Sequence, residues 1–225
     1  MNISEKDQLL ISVLVVALAV GISINDGLPD LSELRPFLRI VVPAFVALFF
    51  AFGLHELSHR LMARILGFDA VYRMWIPGLA LAVGSAFWGF LFAAPGFVEM
   101  KELKDVPTDE ILDKYKNKLG AISLAGPLSN VLMAFGFLIL YGYSSVIWDL
   151  RNIPLLNEDS ILELIRWCLL LNVLFGLFNM IPIPPIDGSK IFMWSKGTWL
   201  LLALVAGALF LMTRYQMDFL LSFFG

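Results

Sequence analysis

The chain has 225 residues, fewer than the roughly 250–300 at which soluble chains tend to divide, so a single domain over 1–225 is expected. It is 59% hydrophobic and 16% charged, against about 45–50% and about 25% in soluble globules, which excludes an ordinary water-soluble domain and a disordered chain alike. Sixteen Lys and Arg against 19 Asp and Glu leave a charge of −3 and no basic surplus for nucleic acid, and the lone Cys168 has no disulfide partner within the chain.

A multi-pass membrane protein in a lipid bilayer remains. A hydrocarbon core about 30 Å thick asks for about 20 apolar residues in a helix. Residues 8–24 meet that demand. The stretch is longer than the core of a secretory signal, and Asn25-Asp26-Gly27 after it reads as a turn. An acidic loop with Pro29 follows. A second apolar run goes from about 37 to 66. At 1.5 Å per residue it reaches about 45 Å, more than one bilayer core, with Pro43 in its early turns.

Residues 75–98 are apolar but bracketed by Pro77-Gly78 and Pro95-Gly96, with Gly84 and Gly89 inside. Irregular backbone at membrane depth is tolerated only when packed in protein or lining a wet cavity. The segment reads as a re-entrant element, part strand and part short helix, flanked by strand-like residues at 71–75 and 97–100. Residues 101–118 form the long polar run, where Thr108 can cap a short helix. A third span covers about 119–147 and is interrupted by Gly126-Pro127. A fourth covers about 161–181, and a fifth begins near 198 and reaches at least Met212. The expected fold is an all-α, multi-pass helical bundle of about five to six membrane helices, with a small re-entrant or β-hairpin element between the second and third spans.

Lys101, Lys104, Lys114, Lys116 and Lys118, together with Arg60, Arg64 and Arg73, favour the cytoplasmic side. Both clusters lie there only if 75–98 enters and leaves on one face. A true crossing is the alternative.

The two histidines of the chain, His55 and His59, stand four apart in His55-Glu56-Leu57-Ser58-His59. On a helix both rings project from one face, one turn apart, as two ligands of one metal must. Glu56 lies one step round and can reach a water at that metal as general base. Ionisable groups inside a span are costly and usually functional. Catalytic zinc takes three protein ligands. With no third His, a carboxylate is expected, and Asp187 stands out. It follows a run holding Pro182, Pro184 and Pro185, which forbids a regular helix. Glu158 and Glu163 are alternative donors, and a simple turn is the other reading of the Asp187 segment. If 75–98 is re-entrant, Asp187 arrives on the side of the histidines; if it crosses, Asp187 is out of reach.

With these residues in view, the chain resembles the site-2 protease family of intramembrane zinc metalloproteases, peptidase family M50. His55 to His59 match its first motif. Asn179 to Gly188 match its Asn-x-x-Pro-x-x-x-Leu-Asp-Gly pattern, with Ile186 for Leu. Gly126-Pro127-Leu128-Ser129-Asn130 is similar to its Gly-Pro-x-x-Asn segment. The resemblance covers a catalytic core of about 37–195. It implies one Zn2+ per chain on His55, His59 and Asp187, Glu56 as general base, and Asn179 against the substrate backbone or developing oxyanion, with Asn130 a second substrate-binding candidate. It implies a transmembrane protein substrate, cut to release a regulator, and a place in the cell membrane with the active site towards the cytoplasm. No run is long and polar enough for a PDZ domain, so a minimal core is expected.

Overall fold

The computed structural model describes residues 3–103, 108–142 and 158–224. Residues 143–147 of the expected third span, and Lys104, lie outside the described residues. The chain forms two compact units, Met1–Val106 and Pro107–Gly225. Among the described residues five helices are long and apolar enough to cross a membrane. The protein is a multi-pass helical membrane protein with one small β-hairpin.

In the first unit, helix α1 spans Glu5–Ile24. Ser4 caps it, accepting from the Asp7 N–H at 3.3 Å, and Glu5 and Asp7 suit the positive end of the helix dipole. Helix α2 (Leu34–Leu48) packs on α1. It starts three residues earlier than expected, so Pro43 falls in its interior. A wide π turn, Phe49–Gly53, then joins α2 to α3 (Leu54–Ile65). Together these make one apolar stretch of 32 residues, Leu34–Ile65.

Strand β1 (Ala70–Met74) pairs antiparallel with β2 (Gly96–Met100), from Ala70 opposite Met100 to Met74 opposite Gly96. The Trp75 N–H donates to Pro95 O at 2.9 Å, so the segment between the strands leaves and returns at one place. Its helix α4 (Ile76–Ala86) has 11 residues, about 16 Å at 1.5 Å each, half a bilayer core. The re-entrant expectation holds, and a crossing does not. A side chain on Gly78 would run into the Ala94 carbonyl, so this glycine lets the returning chain lie against the start of α4.

Helix α1 closes the hairpin on one side. Tyr72 N–H donates to Glu5 Oε1 at 2.8 Å and Met74 N–H to Gln8 Oε1 at 3.1 Å, while the buried Tyr72 hydroxyl donates to Ser12 Oγ at 2.9 Å. Burial holds the Tyr72 phenol above its ordinary range, against the Ser12 hydrogen bond, which lowers it. A raised acid keeps its proton in the folded chain after the unfolded chain has lost it. Its contribution to folding stability is therefore constant below pH about 10 and is lost above it. Thermal unfolding in detergent between pH 8 and 11 should show this decline, less steeply in Tyr72→Phe. An equal decline in that variant would assign it to other groups.

In the second unit, α5 runs unbroken through Thr108–Gly142. The expected short helix and third span are one element, because no breaker separates them. Pro127 lies inside it without ending it. Ser129 Oγ donates back to Gly126 O at 2.7 Å within the same helix. Helix α6 is Glu158–Phe178, α7 is Asp187–Trp194, and α8 is Lys196–Phe224. Val131, Ala134, Leu138, Leu169, Val173, Ile191, Leu202 and Ala206 pack into one core. Lipid supplies no hydrophobic push between membrane helices, so close packing and buried hydrogen bonds hold them.

Candidate metal centre

Three of the candidate site residues lie in the first unit. His55, Glu56 and His59 are all buried on α3, at 3%, 9% and 7% exposure. Their two Nε2 atoms lie 3.0 Å apart, with the rings at 89° and centroids 4.5 Å apart. Two nitrogens held about 2.0–2.1 Å from one tetrahedral zinc stand roughly 3.3 Å apart. The imidazoles thus already converge to the edge of a zinc site, and their chemistry fits the ion.

The π turn decides which way that edge faces. The Leu54 N–H bonds Phe49 O, five residues back. One extra residue in the turn rotates the following helix by roughly 100° relative to α2. Accordingly α2 packs on α1, whereas α3 packs on the β-hairpin. Sequence reading misses this, because the buried stripe Phe37, Val41, Ala44, Leu48 extrapolates at helical spacing to His55 and His59 anyway. Ser58 Oγ donates to Leu54 O at 2.7 Å, one turn back on the same helix.

Arg60, next in sequence to His59, anchors the same helix. Its Nη2 donates to Glu5 Oε2 at 2.6 Å. Arg64 Nε donates to Ala70 O at 3.2 Å. Beyond the helix, Asp69 bonds Lys101, and that hydrogen bond lowers its carboxyl below the usual range.

The second unit holds the remaining candidates. The segment 179–186 is non-helical, as its prolines require, and Asp187 opens α7, largely buried, with Lys190 Nζ at 3.8 Å. Met180 O accepts from Trp199 Nε1 at 2.7 Å, which pins the start of the loop. A Cβ on Gly188 would stand 2.5 Å from Met180 C and 2.6 Å from Ile181 O, so the loop doubles back against the residue after Asp187. Trp199 was not legible as part of this site. Its only local signal is an aromatic at the start of an apolar helix.

Asn179 Nδ2 donates to Phe175 O at 3.0 Å, and among the described residues nothing else accepts from its amide. Asn130 is fully buried, and its Nδ2 donates to Asn172 Oδ1 at 3.1 Å; Asn172 in turn donates to Cys168 O at 2.8 Å. Glu163, the alternative ligand, is exposed near the start of α6; the side chain of Glu158 lies outside the described residues.

Comparison with known proteins follows the same residues. Residues 43–198 match peptidase family M50. A protein of Methanocaldococcus jannaschii named a "putative zinc metalloprotease" is 34% identical over 167 residues, 73% of this chain and 76% of that one. A Bacillus subtilis protein with the same description is 29% identical over 149 residues, 65% of each chain. No solved structure matches.

Proposed function

Because the chain belongs to peptidase family M50, we propose that it is an intramembrane zinc metalloprotease of the site-2 type, cutting peptide bonds inside or beside the transmembrane segments of other membrane proteins. That it is a zinc metalloprotease rests on the family and the relatives, and that it spans the membrane several times rests on its five apolar helices. The observation that carries the intramembrane reading is the burial of His55, Glu56 and His59 on an apolar stretch of 32 residues, with the two imidazoles already converged.

His55 Nε2, His59 Nε2 and a carboxylate oxygen of Asp187 would hold the ion. Zinc, when bound, polarises a peptide carbonyl and makes hydroxide available near neutral pH. Glu56 takes a proton from the attacking water as its oxygen bonds the carbonyl carbon. The C–N bond then breaks, and Glu56 delivers that proton to the leaving nitrogen. The second amide hydrogen of Asn179 suits a substrate carbonyl or the developing oxyanion. Asn130, already bonded to Asn172, suits a supporting place behind it.

A transmembrane substrate arrives as a helix, its carbonyls engaged in hydrogen bonds, so it must unwind to be cut. An edge strand can replace the bonds it loses. The outer edge of β1 is taken by Glu5 and Gln8. In the β1–β2 register the backbone groups of Val98 point to the outer edge of β2, and among the described residues nothing bonds them. β2 is therefore the edge for substrate. Because the hairpin returns the chain to the face where α3 ended, the Arg60, Arg64, Arg73 and lysine clusters fit one cytoplasmic side, the site with them, in the cell membrane.

The test is purified protein in lipid vesicles with a single-span substrate. We expect two fragments whose masses place the cut within or next to the span, loss of cleavage with a zinc chelator, and its return with Zn2+. Chelator-insensitive cleavage, or no cleavage of any membrane-spanning peptide alongside zinc flux across the vesicle, would refute the proposal.

A further inference from the structure

Helix α1 lies wholly before residue 43, where the match to the family begins. Yet it carries three polar side chains on one stripe, Glu5, Gln8 and Ser12, at helical spacing i, i+3 and i+7, and all three engage the hairpin. Glu5 and Gln8 accept from two outward N–H groups of β1, those of Tyr72 and Met74. Ser12 Oγ accepts from the Tyr72 hydroxyl. These side chains stand where a third strand would stand.

Glu5 does one thing more. Its second oxygen takes the Arg60 guanidinium at 2.6 Å. A single carboxylate thereby joins β1 to the residue that follows His59. The pair is about three-quarters buried, where charge-assisted hydrogen bonds are strong and solvent competes little. Bulk packing does not explain such a stripe. A membrane helix needs only apolar contact with its neighbours, and polar groups placed in it are costly unless each has a partner.

We propose that Glu5 is a positioning residue for proteolysis: it locks the hairpin to the metal-binding helix and so sets which peptide bond, in a strand paired to β2, lies at the catalytic centre. This rests on the protease reading above. Strand pairing advances in steps of about 3.3 Å per residue, so a hairpin free to slide or tilt against α3 presents neighbouring bonds in place of one.

The experiment compares Glu5→Ala and Glu5→Gln with the unaltered full-length chain in vesicles, on one transmembrane substrate. Both variants should keep zinc at the unaltered level and unfold at nearly the same temperature. Glu5→Ala should lower kcat/KM by about tenfold to a hundredfold and produce fragments cut at two or three adjacent bonds. Glu5→Gln keeps an acceptor for the Tyr72 N–H but loses the ion pair, and should fall between, with one bond dominant. A Glu5→Ala protein that cuts a single unchanged bond at the original rate overturns the inference while leaving the protease reading intact. So does one that loses zinc or unfolds, because the residue is then merely structural. Failure of the unaltered chain to cut any transmembrane substrate overturns the protease reading itself, and this inference with it.

Discussion

Glu56→Gln is expected to leave zinc content and unfolding temperature unchanged and to lower cleavage of a transmembrane substrate by a factor of about 10²–10⁴, the range lost with a general acid–base group. Glutamine keeps the shape and the hydrogen-bonding reach of the side chain but cannot take the proton from water or return it to the leaving nitrogen. Glu56 sits on the buried face of α3 with His55 and His59, so the amide meets the same packing. Lost activity together with intact zinc therefore isolates the chemistry. Activity within a few-fold of the original would end the assignment of Glu56 as base. Loss of zinc would show that Glu56 helps to hold the metal.

Gly188→Ala should damage both the fold of the second unit and any metal binding by Asp187. The added carbon would meet the backbone of Met180 and Ile181, at 2.5 Å and 2.6 Å. Backbone cannot swing aside as a side chain can, and Trp199 holds Met180 O in place. Overpacking of this kind costs about 1–3 kcal/mol. The loop relieves it by pushing away from α7, and Asp187 moves with it. If Asp187 is the third ligand, zinc affinity drops by about tenfold to a hundredfold, as when the supports of a metal ligand are removed. Zinc titration and thermal unfolding in detergent measure the two effects separately. Lowered stability with undiminished zinc affinity would argue that Asp187 does not ligate, and Asp187→Ala should then also retain the ion.

Much of this protein is legible without coordinates. Apolar runs of bilayer length locate the membrane helices, because lipid forces every backbone group to bond within its own segment. Two histidines one helical turn apart point to a metal site, because ring spacing follows from helix geometry alone. Pro182, Pro184 and Pro185 declare a non-helical loop before Asp187, and paired Pro-Gly steps declare a segment that turns back. Each of these is a local rule, complete within a few residues.

Other features depended on residues far apart in the chain. The π turn at Phe49–Gly53 aims the histidine face at the hairpin, and no residue in Phe-Phe-Ala-Phe-Gly demands it. Composition marks both 71–75 and 97–100 as strands, but only α1 decides which keeps an open edge, since Glu5 and Gln8 close β1 from 66 or 67 residues away. Asn130 becomes a buried partner of Asn172 only when α5 and α6 pack. Local sequence sets what each segment can be, through periodicity and backbone sterics. Tertiary structure decides which hydrogen-bonding groups are consumed and which are left for a substrate, because that depends on what happens to lie alongside.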